Sequence, residues 1–315
     1  MSHFAIVGGA GFIGSHFIER LLESGQKVSV IDNLTSGSLD LISCHFNSND
    51  FSFFQVDARE TAELEKIFRK VDVVLHLASN PDISKAESYP RIDFENGTML
   101  TESVLEATRL AGVKKFLYAS GSGVYSNDDL NARLEDDKLE PISTYGASKL
   151  AGEALTAAYS YMFGIQAISF RFANVVGPRQ THGVGYDFIR KLRNDPSRLM
   201  VLGNGTQTKS YIDVHDVISG VLLASEKCSK NYDVFNVSTN DLVTVNEIVE
   251  IVISEYGLER HTVEVTFGEG DRGWKADVPK IKLDSSKLRK LGWGNNYSSR
   301  SAIVNAVRAM ILESD

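Results

Sequence analysis

Three glycines, Gly8, Gly11 and Gly14, recur every third residue in GGAGFIG, directly after the apolar run HFAIV and at the head of a segment with helical periodicity. At a strand-to-helix turn, glycine permits the tight bend and lets a phosphate approach the backbone. The helix start offers unpaired N–H groups and a partial positive charge. The following β-branched run, KVSVID, ends on Asp32, at the separation of roughly 20 residues that a dinucleotide fingerprint calls for. A carboxylate there accepts hydrogen bonds from the adenosine ribose hydroxyls and repels a 2′-phosphate, so the pattern selects NAD over NADP. Asp57 ends the next strand-like run and is placed to accept from the adenine amine. Phe12, Ile13, Asn33, Ala58, Leu77 and Ala78 complete the expected cofactor-binding set.

A second chemical pair sits in STYGASKLAGEA. Tyr145 and Lys149 are four apart, hence on one face of the helix predicted there. A phenol normally titrates near pH 10. A neighbouring ammonium, together with the positive nicotinamide of NAD, favours the phenolate and is expected to lower that value. Such a tyrosine takes a proton from a hydroxyl while hydride leaves for the cofactor, or returns it in reverse. Both residues are therefore candidate catalytic and cofactor-binding groups.

The elements that must position these residues alternate. Short β-branched or aromatic runs (HFAIVGG, KVSVIDN, FSFFQVDA, DVVLHLAS, KFLYAS, QAISFRFANV) are separated by segments of helical periodicity, notably 11–22, 92–110 and 145–161. Continuous apolar strands alternating with helices predict an α/β fold of the Rossmann type, a doubly wound parallel sheet covered on both faces. Past residue 175 the rhythm loosens at Gly177, Pro178, Gly183 and Gly185. The expected division is a cofactor domain over 1–175 and a smaller α/β substrate lobe over 176–315, with Tyr186, Phe188 and Ile212 as candidate pocket walls. Residues 211–238 return to the first sheet, and the polar stretches 33–50 and 126–143 are read as loops.

Composition excludes several classes. With 43% hydrophobic and 23% charged residues the chain is an ordinary globular one, and a net charge of −8 disfavours nucleic acid and anionic membranes. No stretch reaches the roughly 18 apolar residues a membrane helix needs, so a cytoplasmic protein without a membrane partner is expected. The seven histidines and two cysteines show no metal-ligand spacing, and no GxSxG supports hydrolysis. No metal site is expected.

Taken in order, GGAGFIGSH, DNLTSG, HLASNP, the Tyr145–Lys149 pair, RFANVVGPR, LGNGTQTKSYIDVHDV and DRGW…LGW resemble the extended short-chain dehydrogenase/reductases. Within them, the chain is similar to the NAD-dependent nucleotide-sugar epimerase/dehydratase group and its UDP-glucose 4-epimerase-like branch. The resemblance runs nearly end to end. It implies bound NAD, oxidation of a nucleotide-sugar hydroxyl at C4, contacts from Asn174, Lys209 and Arg272 to the nucleotide diphosphate, and a homodimer built on the helices at 92–110 and 145–161.

The catalytic side departs from the family pattern. Where the family carries a Ser or Thr four residues before the VY tyrosine, this chain has Gly121, flanked by Ser120 and Ser122, which become candidate catalytic hydroxyls. Ser126 replaces the glycine of VYG, and Gly97 replaces the asparagine of the family's N-V-x-G-T helix, with Asn96 just before. The acids that family dehydratases and decarboxylases resemble one another in are replaced by Ser122 and Gly123. Elimination and decarboxylation therefore lack their usual acid. Three readings stay open: a nucleotide-sugar 4-epimerase, a 4-dehydrogenase or reductase giving or using a keto sugar, and an NAD-binding regulatory protein with a decayed centre.

Overall fold

The structure is a computed structural model that describes residues 1–125, 131–274 and 277–313. In chain order its main elements are β1 (His3–Val7), α1 (Phe12–Glu23), β2 (Lys27–Asp32), β3 (Phe51–Gln55), α2 (Thr61–Phe68), β4 (Val73–His76), α3 (Leu100–Leu110), β5 (Lys115–Gly121), α4 (Thr144–Phe163), β6 (Gln166–Phe172) and β7 (Asn174–Val176). There follow α5 (Val184–Asn194), β8 (Arg198–Val201), β9 (Thr208–Lys209), β10 (Tyr211–Asp213), α6 (Val214–Lys227), β11 (Tyr232–Val237), β12 (Val243–Thr244), α7 (Val245–Glu255), β13 (Glu264–Phe267), β14 (Lys280–Ile281), α8 (Ser286–Arg289) and α9 (Ser299–Leu312).

The predicted α/β architecture is present. A seven-stranded parallel sheet has the order β11-β6-β5-β4-β1-β2-β3, so the strand order reverses beside β1. There, β1 pairs in parallel with β2 (Val7 opposite Ile31) and with β4 (Val7 opposite His76). The connections leaving the carboxyl ends of the adjacent strands β1 and β4 therefore run in opposite directions, which opens the crevice where ligands of such sheets bind. The near-continuous apolar strands are buried on both faces, as a sheet between helix layers requires. The core of this unit includes Ala5, Val7, Val74, Phe68, Leu105 and Phe116.

Two compact units divide the chain: Met1–Val124, Thr144–Arg171 and Val221–Phe235 form one, and Tyr125–Ser143, Phe172–Gly220 and Asn236–Asp315 the other. The first thus ends near residue 171 rather than 175. The returning segment is 221–235, narrower than 211–238. The loop expected over 126–143 belongs, in its described part, to the second unit. Arg133 explains this: its N–H donates to Lys282 O at 2.9 Å, and its carbonyl accepts from Asp284 N–H at 2.8 Å and from the Asn236 amide at 2.9 Å. Backbone partners that far along the chain carry no local sequence signal. Ser126 lies outside the described residues.

The second unit has its own core, with Phe188, Leu192, Leu199, Ile248, Val252 and Val307 packed between α5, α7 and α9. The residues expected as pocket walls are placed differently. Phe188 and Ile212 are buried at 2% and 0% exposure, and Tyr186 packs against the same core. Phe188 and Ile212 support the lobe from inside, because their apolar surface is used up by packing, while Tyr186 stays half-buried.

The helix read over 92–110 is composite. Phe94–Met99 forms a π-helical turn before α3 begins at Leu100. A π turn holds one residue more than an α turn, and such turns are frequent at functional sites. It also accounts for the missing asparagine. A Cβ on Gly97 would lie 2.6 Å from Ser148 Oγ of α4, so the close approach of the two helices leaves no room for a side chain there.

Candidate active site

The glycine turn is shaped as the motif predicts, each glycine for its own reason. Gly8 has φ +83°, and a Cβ there would come within 2.7 Å of Ala78 N. Gly14 sits in the first turn of α1, where a Cβ would fall 2.6 Å from both Gly8 O and Gly9 Cα. Gly11, the residue before the helix, has the ordinary extended backbone φ −89°, ψ 179°, and a Cβ there would touch nothing closer than Gly8 O at 3.5 Å. No protein contact demands glycine at 11, so the need points outward, to a ligand against the backbone. The start of α1 also has no side-chain cap and no acid in its first turn, which leaves its amides and partial positive charge to a phosphate. Phe12 is buried and Ile13 half-buried in that turn. These residues fit NAD.

Asp32, 9% exposed, ends β2 and ties the turn together. Its Oδ2 accepts from Ala10 N–H at 3.0 Å and its Oδ1 from Leu34 N–H at 2.9 Å. Burial raises its carboxyl and these two hydrogen bonds oppose the rise. Each oxygen keeps a lone pair for a ribose hydroxyl. Asp32→Asn would set an amide NH2 against one of the two backbone donors, and the lost charge-assisted bond predicts NAD affinity lower by roughly ten- to a hundredfold. Discrimination against NADP should narrow as the negative charge goes. Calorimetric titration of the apoprotein with both cofactors checks this.

Asp57 is more heavily engaged than its expected adenine role requires. It accepts from Arg59 Nε at 2.9 Å, Arg59 Nη2 at 2.7 Å, Arg59 N–H at 3.0 Å and Asn33 Nδ2 at 3.2 Å. The Arg59 guanidinium holds its carboxyl well below the usual range. Buried Ala58 follows it, and half-buried Leu77 and Ala78 both donate their N–H to Val7 O, which lays the β4 exit beside the glycine turn.

Tyr145 and Lys149 share one face of α4, as their spacing predicts. Lys149 is 3% exposed, and its Nζ donates to Ala119 O at 2.8 Å while lying 5.6 Å from the Tyr145 ring centre. Burial pulls this ammonium down to about 8, opposed by the charges of Glu153 and Asp93. The expected lowering of the phenol is absent in the protein alone. Burial pushes Tyr145 up to about 12, a hydrogen bond with Ser79 lowers it, and Asp93 raises it further. Desolvation dominates, and the Lys149 ammonium gives its hydrogen bond to the sheet. The charge of bound NAD is an addition to this balance.

Of the two candidate serines, Ser120 is turned away from the chemistry. Its Oγ donates to Glu153 Oε1 at 2.5 Å, and Glu153 is paired with Arg171 (Nη2 to Oε2, 2.7 Å), both side chains being almost wholly buried. Ser122 stands half-buried in the short 3₁₀ turn Ser122–Val124 that follows β5. The buried pair has its own consequence. Arg171→Ala would strand the Glu153 carboxylate and is expected to cost about 3–5 kcal/mol, whereas Glu153→Leu with Arg171→Met should recover most of it. Urea unfolding midpoints distinguish the two.

The nucleotide-diphosphate candidates are gathered within the second unit. Asn174 heads β7, where its N–H and its Nδ2 both donate to Ser210 O at 3.2 Å. Lys209, next in chain to Ser210, pairs with Asp277 Oδ1 at 2.5 Å, and Arg272 Nη1 donates to Asp277 O at 3.0 Å. Asp277, 6% exposed, is not among the expected residues; no spacing rule links it to Lys209, 68 positions earlier. Lys85 is exposed. His76 is fully buried at the end of β4, hydrogen-bonded through Nε2 to Thr101 Oγ1 at 3.0 Å and packed on Tyr118, and burial pulls it down to about 3. Among the described residues, no group of His, Cys, Asp or Glu could hold a metal ion, and no helix is long and apolar enough to cross a membrane.

Comparison with known proteins agrees with this geometry. Residues 4–238 match the model of the NAD dependent epimerase/dehydratase family. A putative UDP-glucose 4-epimerase of Methanocaldococcus jannaschii is 31% identical over 311 residues, covering 97% of each chain. A crystal structure of UDP-galactose 4-epimerase superposes with TM-score 0.88 at 35% identity over 99% of both chains. The UDP-glucose 4-epimerase of Thermus thermophilus, solved as a complex with NAD, gives 0.87 at 30% identity over 98% of this chain and 99% of that one. A glycine cradle with an acid behind it, a Tyr–Lys pair on one helix face and an end-to-end likeness thus converge: this chain belongs to the NAD-dependent epimerase/dehydratase family.

Proposed function

We propose that the chain is a nucleotide-sugar 4-epimerase, which oxidises the C4 hydroxyl of a nucleoside-diphosphate sugar and reduces the ketone on its other face. The observation that carries this reading is the buried Lys149 ammonium beside Tyr145 on α4, with Ser122 and Gly123 where an eliminating enzyme would need acids. NAD, when bound, supplies reversible hydride acceptance. Tyr145 takes the C4 hydroxyl proton as its C–H bond breaks and returns it when the ketone is reduced. Lys149, fixed by Ala119 O, holds positive charge near the phenolate so formed. In the second unit, Lys209 and Arg272 supply cations suited to a diphosphate, with Asn174 adding an amide. The likeness to UDP-glucose and UDP-galactose 4-epimerases supports a UDP-sugar as substrate.

Incubation of the holoenzyme with UDP-, GDP-, dTDP- and CDP-sugars tests this, read by proton NMR and cofactor absorbance. Inversion at C4 with no net cofactor reduction is expected. Accumulation of a keto sugar with matching cofactor reduction would replace this reading with a 4-dehydrogenase. A homodimer is part of the proposal. Met99, beside α3, and Leu110 on it, with Tyr161, Met162 and Phe163 on α4, leave apolar side chains exposed on the helices the family pairs. Tyr161→Glu with Met162→Glu should convert the dimer to monomer in light scattering.

A further inference from the structure

We propose that Ser79 is the hydroxyl partner of Tyr145, and that Asp93 is the positioning residue that holds them together by clamping Asn80 to Thr144. The inference rests on Tyr145 being the proton-transfer group of the proposed function. It supplies what β5 lacks, since Gly121 carries no hydroxyl and that of Ser120 is given to Glu153.

The clamp is built from three side chains. Asp93 is 1% exposed, and each carboxylate oxygen is met by one donor: Asn80 Nδ2 to Oδ1 at 2.8 Å and Thr144 Oγ1 to Oδ2 at 2.7 Å. Asn80 is itself 4% exposed and donates to Asp82 O at 2.9 Å, while its Oδ1 accepts from Asp82 N–H at 3.1 Å. A buried carboxylate is tolerated only when its oxygens are satisfied, so both bonds are under pressure to persist. The two donors are the chain neighbours of Ser79 and Tyr145. One carboxylate thus joins the exit of β4 to the start of α4, and brings Ser79 and Tyr145, the chain neighbours of its two donors, to either side of that junction. The π turn begins at Phe94, immediately after Asp93.

The groups facing the phenol are Lys149 one turn along α4, the Asp93 carboxylate, Ser79 and the buried Tyr118 phenol. Those facing Lys149 are Glu153, Asp93 and the uncharged His76. Ser79 donates to the oxygen that becomes phenolate and stabilises it. Asp93 contributes alignment, at the expense of a negative charge that opposes that phenolate.

Charge and alignment separate by substitution. Asp93→Asn keeps the clamp, its oxygen accepting from Asn80 and its NH2 donating to Thr144 Oγ1, but loses the charge. Asp93→Ala loses both. In the NAD-loaded protein, ionisation of Tyr145 is followed by 13C NMR of Cζ-labelled tyrosine, with Tyr145→Phe assigning the signal. Ser79→Ala should move this titration to higher pH and Asp93→Asn to lower pH. Turnover should fall roughly tenfold or more in Ser79→Ala and in Asp93→Ala with KM little changed, while Asp93→Asn stays within a few-fold of the parent. An unmoved titration in Ser79→Ala, or equal losses in Asp93→Asn and Asp93→Ala, would overturn the assignment. If no nucleotide sugar is turned over, the proposed function fails, yet the titrations still decide whether Ser79 partners Tyr145. Should Asp93→Ala not fold, the other two variants decide alone.

Discussion

Tyr145→Phe should lower kcat by roughly 10²- to 10⁴-fold while leaving NAD bound and the nucleotide-sugar KM within a few-fold of the parent. The substitution removes one hydroxyl from a half-buried ring on a helix anchored elsewhere, so the fold has no reason to change. What goes is the phenol beside Lys149 on the face of α4 that the chemistry requires. The pH profile should carry the same signature. With the phenol pushed up to about 12 in the protein alone, proton abstraction grows easier as pH rises through neutrality. Lys149, drawn down to about 8, loses its charge above that pH and with it the stabilisation of phenolate. A bell-shaped kcat with its alkaline limb near 8 is expected, and Lys149→Met should abolish that limb. Stability runs the other way from activity. The folded pKa of Lys149 lies below its unfolded value, so its buried charge costs stability below about pH 8, and that cost is relieved as pH rises toward the unfolded pKa. Tyr145→Phe retaining full turnover would remove this tyrosine from the mechanism.

Two alanine substitutions in the glycine turn should fail in different ways. At Gly14 the new Cβ meets backbone alone, Gly8 O and Gly9 Cα at 2.6 Å and Gly9 O at 2.7 Å, so no side chain can swing aside and the turn must open. Overpacking of this kind costs about 1–3 kcal/mol. Gly14→Ala is therefore expected to melt earlier and to lose NAD. At Gly11 the backbone is one any residue adopts, and the Cβ reaches into space with only Gly8 O at 3.5 Å. Gly11→Ala should melt as the parent does without cofactor, yet bind NAD roughly tenfold or more weakly, because the added methyl holds the pyrophosphate off the amides of α1. Differential scanning calorimetry with and without NAD resolves the pair. Parental NAD affinity in Gly11→Ala would mean that the pyrophosphate does not cross that residue.

Much of this is legible in the amino-acid sequence. Strand HFAIV, the three glycines and Asp32 lie within one βαβ unit, where short-range geometry dictates the result, and periodicity is enough to predict a parallel sheet covered by helices. Tyr145 and Lys149 need only helical spacing to share a face. What cannot be read there is whatever depends on contacts between distant segments. The described part of 126–143 joins the second unit because Arg133 finds backbone partners beyond residue 280. Asp277 reaches Lys209 across 68 positions.

The same distinction governs the site. Sequence alone determined that a dinucleotide turn and a Tyr–Lys pair exist, because glycine spacing, a strand-end acid and an i,i+4 helix pair are local facts of backbone geometry. Tertiary structure decided which hydroxyls are free to act and how the ionisable groups are tuned. Ser120, one position from Gly121, faces Glu153 and Arg171 because alternate residues of a strand point to opposite faces. Asn80 and Thr144, the chain neighbours of Ser79 and Tyr145, are 64 residues apart and are joined through Asp93. The phenol is raised instead of lowered because desolvation, a property of everything packed around a group, dominates its balance.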